Sequence, residues 1–145
     1  MSKKITGTKK SSQVKVVKGV LDISRSGIGF VLVEGMDKDV LVRPNDFNRA
    51  FHGDTVRVQI DKHAVPGKRT EGKITEVVER KQTEFIGDLQ VGKNFAFFIA
   101  DTEKPMPDFF IPGDKLNGAS NGERVVARLT KWDKADKKPE GEVVN

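Results

Sequence analysis

An internal repeat constrains this chain more than any other feature. Residues 19–31 return 68 positions later as residues 87–99, and Asp39-Val40-Leu41-Val42-Arg43-Pro44 returns 69 positions later as Asp108-Phe109-Phe110-Ile111-Pro112. His52-Gly53-Asp54 keeps the longer offset as Asn121-Gly122-Glu123, and Glu71-Gly72 keeps it as Glu140-Gly141. Such a period means that one small structural unit is built twice. Each copy has about 65 residues, near the lower limit for a domain without staples, and the chain contains no cysteine to form one. The units must therefore be compact and regular. The missing thiols also remove thiolate metal sites and fit a reducing compartment, here expected to be the cytoplasm. No apolar run is long enough to cross a bilayer, and none follows Met1 as a signal core.

Alternation of apolar and polar residues, with β-branched enrichment, predicts strands at 14–24, 27–34, 39–43, 54–60 and 71–80 in the first copy. The second copy repeats them at 83–91, 95–101, 108–112, 123–130 and 140–145. Ser26-Gly27, Glu34-Gly35-Met36-Asp37 and His52-Gly53-Asp54 supply the turns, and the stretch from Pro44 to Phe51 can hold one helical turn. Five short antiparallel strands with that one interruption are the pattern of the five-stranded oligonucleotide-binding barrel. The expected fold is all-β: two tandem OB-type barrels at 14–80 and 81–145, after a basic, disordered tail at 1–13. The last strand looks truncated at Asn145, so the second barrel is expected to be incompletely closed.

The net charge of +5 is not spread over these units. Six of the 26 basic residues lie among the first eighteen positions, leaving twenty against twenty-one acidic residues from Gly19 onward. Any attraction for nucleic acid must then come from clustering on one face. Pleat parity points to such a face. In the second strand Gly27, Gly29, Val31 and Val33 turn one way and Ile28, Phe30 and Leu32 the other. Val40 and Val42 turn inward beside them, leaving Leu41 and Arg43 outward. Flat apolar groups next to a cation suit unpaired bases and their phosphates.

These residues resemble a known family. Arg25-Ser26-Gly27-Ile28-Gly29-Phe30-Val31 is similar to the first ribonucleoprotein motif of cold-shock domains, Lys-Gly-Phe-Gly-Phe-Ile, and Val40-Leu41-Val42-Arg43 to the second, Val-Phe-Val-His. The tandem order over residues 19–145 resembles the two N-terminal cold-shock domains of the ribonuclease R exoribonucleases. In copy one the resemblance puts Ile28 and Leu41 in the places of stacking phenylalanines, keeps Phe30, and puts Arg43 in the place of a histidine. In copy two Ala96 takes the first stacking place, Phe98 matches the second, Phe110 matches the aromatic of the second motif, and Pro112 takes the histidine's place. Phe95 and Phe97 stand where the motif has glycines and are expected to point into the barrel. Arg25 and Lys93 are the cations beside the two copies of the first motif.

His52 is expected to serve its turn only, and His63 has no partner motif. Trp132, among Lys131, Lys134, Lys137 and Lys138, suits base stacking and partner docking equally. The resemblance implies hydrolysis from the 3′ end by clustered aspartates holding magnesium in another domain, since two metals clamp the attacking and leaving oxygens. The acids here are scattered singly, so no cofactor is expected in this segment and the segment itself is not expected to be an enzyme. The resulting reading is a monomeric, membrane-free, single-stranded RNA-binding segment that passes RNA to the catalytic domain of the same parent chain. A free-standing RNA chaperone and a protein-interaction spacer remain open at this stage.

Overall fold

The computed structural model describes residues 15–35, 39–61 and 69–145. The basic tail at 1–13, the turn residues Met36 and Asp37, and His63 lie outside the described residues. The chain divides into two compact units with the boundary between Arg80 and Lys81. The first contains β1 (Lys15–Ile23), β2 (Gly29–Val33), β3 (Val40–Val42), β4 (Thr55–Ile60) and β5 (Glu71–Glu79). The second contains β6 (Glu84–Val91), β7 (Phe95–Ala100), β8 (Phe109–Pro112), β9 (Arg124–Lys131) and β10 (Glu140–Val143). All ten expected strands form. β6 shows why: Phe85, Gly87 and Leu89 are buried while Glu84, Ile86, Asp88 and Gln90 are exposed, a strict period of two that only a one-sided strand satisfies. The helical turn after β3 is a single 3₁₀ turn at Pro44–Asp46, repeated after β8 at Gly113–Lys115.

Each unit closes into a barrel with the same order, β1-β2-β3-β5-β4 and β6-β7-β8-β10-β9. The strands are not all antiparallel: β3 runs parallel to β5, and β8 to β10. Five strands cannot alternate direction around a closed ring, so one parallel contact is unavoidable. The second barrel also corrects the expectation of incomplete closure. β10 pairs with β9 on one side and β8 on the other, and beyond it Val144 N–H donates to the Val126 carbonyl (2.8 Å) while Val126 N–H donates to that of Asn145 (2.8 Å). Four residues of strand close the ring because β10 pairs with both neighbours, along Ala127–Lys131 of β9 and at Phe110 of β8.

The barrels share a plan and fill it differently. Val31, Val40, Val42, Val56 and Val58 surround Leu21 and Ile23 in the first, all essentially without solvent contact. In the second, Phe98 and Phe109 replace Val31 and Val40, and Phe85 joins them, with Phe109 ring centroids 5.4 Å from Phe85 and 5.5 Å from Phe98. Ala127, opposite Phe85, takes the place of Val58 and yields the space. Close packing ties these changes together: Leu116 likewise stands in the second unit where Phe47 packs against the first core. Gly19 and Gly87 are fixed by contact: a Cβ there would lie 2.3 Å from the Leu32 carbonyl oxygen and 2.2 Å from that of Ile99.

The strand register overturns one expectation. Leu21 faces Val31, whereas Leu89 faces Phe98. Val31 therefore corresponds to Phe98, and Gly29 to Ala96, one position short of the offset read from the sequence. The cause is the hairpin turn. Five residues separate the paired positions Ile23 and Gly29, but four separate Val91 and Ala96. One missing residue flips every later side chain of the strand to the other face. Phe98 and Ala96 are thus buried, and Phe95 and Phe97 point outward.

Candidate nucleic-acid interface

With the corrected register, the two units carry the same outward constellation, residue for residue. In the first, Phe30 lies opposite Leu41, with Ile28 at the start of the strand, all partly exposed. In the second, Phe97 lies opposite Phe110, and Phe95 takes the place of Ile28. Phe95 and Phe110 stack at 5.8 Å with an interplanar angle of 18°, while Phe97 meets Phe95 edge-on at 5.3 Å and Phe110 at 6.1 Å. Core residues on the alternate positions hold these side chains out. Val31, Val40 and Val42 lock the first platform from beneath, and Phe98, Phe109 and Ile111 the second.

A cation tops each platform. The Arg69 guanidinium lies 5.1 Å from the centre of the Phe30 ring, and the Lys138 ammonium 5.6 Å from that of Phe97. Both residues precede the last strand of their unit by the same distance, and among the described residues neither forms an ion pair. Each sits where ring face and positive charge attract. On the barrel walls three arginines are paired with acids. Arg57 binds Glu76 (3.1 Å), and Arg128 binds Glu142 (3.4 Å). Arg124 binds Asp101 (3.0 Å) and Asp88 (3.2 Å), and the Asp101 hydrogen bond, reinforced by the charges of both aspartates, pushes its pKa up.

The expected site residues divide accordingly. Ile28, Phe30, Leu41 and Phe110 lie on the platforms. Arg43 is exposed at the edge of the first but grips Glu71 through Nε and Nη2, both at 3.2 Å. Arg25 and Lys93 are exposed on the hairpin turns. Phe98 is removed from the set by its complete burial, for the register reason given above. Trp132 is half-buried and donates its indole N–H to the Lys137 carbonyl at 2.9 Å, bracing the loop that carries Lys138. Phe95, Phe97, Arg69 and Lys138 were missed. The equal spacing of Arg69 and Lys138 ahead of Glu71 and Glu140 was the available signal for the cations. His52 has the expected turn role: its Nδ1 accepts the Ile23 N–H (2.9 Å), as the Asn121 side-chain oxygen accepts that of Val91 (2.9 Å). Among the described residues no three His, Asp or Glu converge to hold a metal ion, and no helix is long and apolar enough to cross a membrane.

Two closed five-stranded barrels with outward aromatic platforms on the second and third strands define a tandem OB protein of the cold-shock kind. The family models agree: the Ribonuclease B OB domain matches residues 19–77 and the Cold shock domain residues 97–145. The chain is 30% identical over 132 residues to ribonuclease R of Escherichia coli K12, covering 91% of this chain and 16% of that protein. It is 28% identical over 129 residues to ribonuclease R of Thermotoga maritima, covering 87% and 18%. The chain thus spans less than a fifth of the length of either relative. It corresponds to the N-terminal OB and cold-shock domains of the ribonuclease R proteins it matches. Solved structures share the fold: RNase R of Mycoplasma genitalium in its apo form (TM-score 0.79, 16% identity, 89% of this chain and 21% of that one) and yeast Ssd1, a pseudonuclease (TM-score 0.74, 18% identity, 97% and 23%).

Proposed function

We propose that each unit binds single-stranded RNA on its outward platform, and that in the parent protein the pair passes RNA to a catalytic domain. The observation that carries this is the recurrence, in both barrels, of an outward aromatic, its cross-strand apolar partner and a cation over the ring. Burying side chains would be the default for such apolar surface; presenting it twice at equivalent positions with a cation above fits stacking of unpaired bases. A relative of the same fold supports the choice of ligand, since Mycoplasma genitalium RNase R has been solved in complex with ribose methylated single-stranded RNA. Magnesium-dependent hydrolysis is assigned to a catalytic domain of the parent protein, as the family resemblance implies; among the described residues of this chain the acids do not gather. The segment is taken to act as a monomer in the cytoplasm.

The test is a fluorescence-anisotropy titration of the whole chain with a labelled oligonucleotide of about twelve residues, single-stranded or duplex, over a range of salt. Three or four neutralised phosphates give a slope of log affinity against log salt of about −2 to −3 for the single strand, with weaker binding of the duplex and no cleavage when magnesium is added. Salt-independent binding, or equal affinity for the duplex, overturns the reading. Binding of a protein partner by the same platform in preference to RNA would favour the spacer alternative instead.

A further inference from the structure

The two platforms differ at one edge, and the difference bears on which base each can take. In the first unit Glu71 sits beside Leu41 on the parallel strand, and its carboxylate is held by Arg43 through two hydrogen bonds. The second unit has Glu140 in the same place, paired with Phe110 across β8 and β10. Pro112 stands where Arg43 would be. Among the described residues no side chain pairs with the Glu140 carboxylate; Thr130 Oγ1, the side chain that does bond this residue, donates to its backbone carbonyl at 3.2 Å. Gly141 and Val143 are buried, so Glu140 points to the same outer face as Phe110.

We propose that Glu140 reads the edge of a base stacked on Phe97 and Phe110, favouring guanine and rejecting uracil. A carboxylate only accepts hydrogen bonds, through two oxygens side by side. Guanine offers the matching pair of donors, N1–H and the N2 amino group. Cytosine and adenine present one amino group next to a ring acceptor. Uracil presents a single N–H between two carbonyl oxygens, which repel the carboxylate. Lys138, two residues before Glu140 and above the Phe97 ring, supplies the positive charge that keeps a phosphate nearby despite the carboxylate. The first unit lacks this selectivity because Arg43 already occupies Glu71. The proposal rests on the RNA-binding reading and adds base preference to it.

The experiment compares the whole chain and its Glu140→Gln variant on UUGUU, UUIUU with inosine at the centre, and UUUUU. The expected result for the unaltered chain is about five- to tenfold tighter binding of UUGUU than of UUUUU, the lower part of what one bidentate base contact supplies. Inosine, which lacks the N2 amino group, should fall between. Glutamine keeps the shape but offers one acceptor, so the preference should drop below about twofold, while UUUUU binds as well or better once the negative charge is gone. A residue of merely structural importance would weaken all three oligonucleotides together, and that outcome overturns the edge reading. Equal binding of UUGUU and UUUUU by the unaltered chain, or a preference that survives in Glu140→Gln, also overturns the edge reading alone. Failure of the unaltered chain to bind any of the three overturns the RNA-binding reading and this proposal with it.

Discussion

Neighbouring residues in β7 do opposite work, and the difference is measurable one side chain at a time. Phe98 is wholly buried against Phe109, so Phe98→Ala should cost about 3 to 5 kcal/mol of folding stability. Phe97→Ala or Phe110→Ala should leave stability within about 1 kcal/mol and weaken RNA binding by about 1 to 3 kcal/mol through lost stacking. Urea denaturation and anisotropy on the same proteins separate the two effects. His52 gives a second case. Its ring nitrogen and the Asn121 amide oxygen accept equivalent backbone N–H groups, so His52→Asn should be near neutral while His52→Ala should lose about 1 kcal/mol in urea denaturation. That role was legible from the sequence because His and Asn share an acceptor at the same turn position. The orientation of Phe97 was not. Residues 95–100 are apolar throughout, and a strand with no polar alternate gives periodicity nothing to read.

At the scale of elements, turn length decides what a repeat means. Strand number, order of elements and the turn after the third strand were all legible, because β-branched alternation and Pro44 are local signals. The shorter second hairpin and the closing of the barrel by β10 were not, since both depend on which residues pair. One lock has no counterpart in the sequence pattern at all. At the end of β5, Arg80 binds the buried Asp54 carboxylate and the Arg49 carbonyl, each at 2.7 Å, and lies over the Phe51 ring at 5.0 Å. Asp54 also accepts the Phe51 N–H at 2.8 Å. Arg80→Met strands a buried carboxylate and should cost about 3 kcal/mol or more, read as a lower denaturation midpoint for the first unit. An unchanged midpoint would show that solvent reaches Asp54 without penalty.

Over the whole molecule, the excess of positive charge lies near the N-terminus and not in the units that carry the aromatic surface. From Gly19 onward the bulk charge is almost balanced, so in the proposed RNA-binding reading the folded units rely on local cations at the platforms rather than on net charge. Residues 1–14 carry four lysines and no acid. Removing them should leave the melting temperature unchanged and weaken binding at low salt, with a shallower salt slope; a lower melting temperature would place the tail in the fold. The most direct test of the platforms themselves is ring-selective ¹³C NMR of the phenylalanines during titration with single-stranded RNA. The signals of Phe30, Phe95, Phe97 and Phe110 should shift and broaden while those of Phe85, Phe98 and Phe109 stay in place. Movement confined to the buried rings, or no movement of the four outward ones at saturating RNA, would contradict the account.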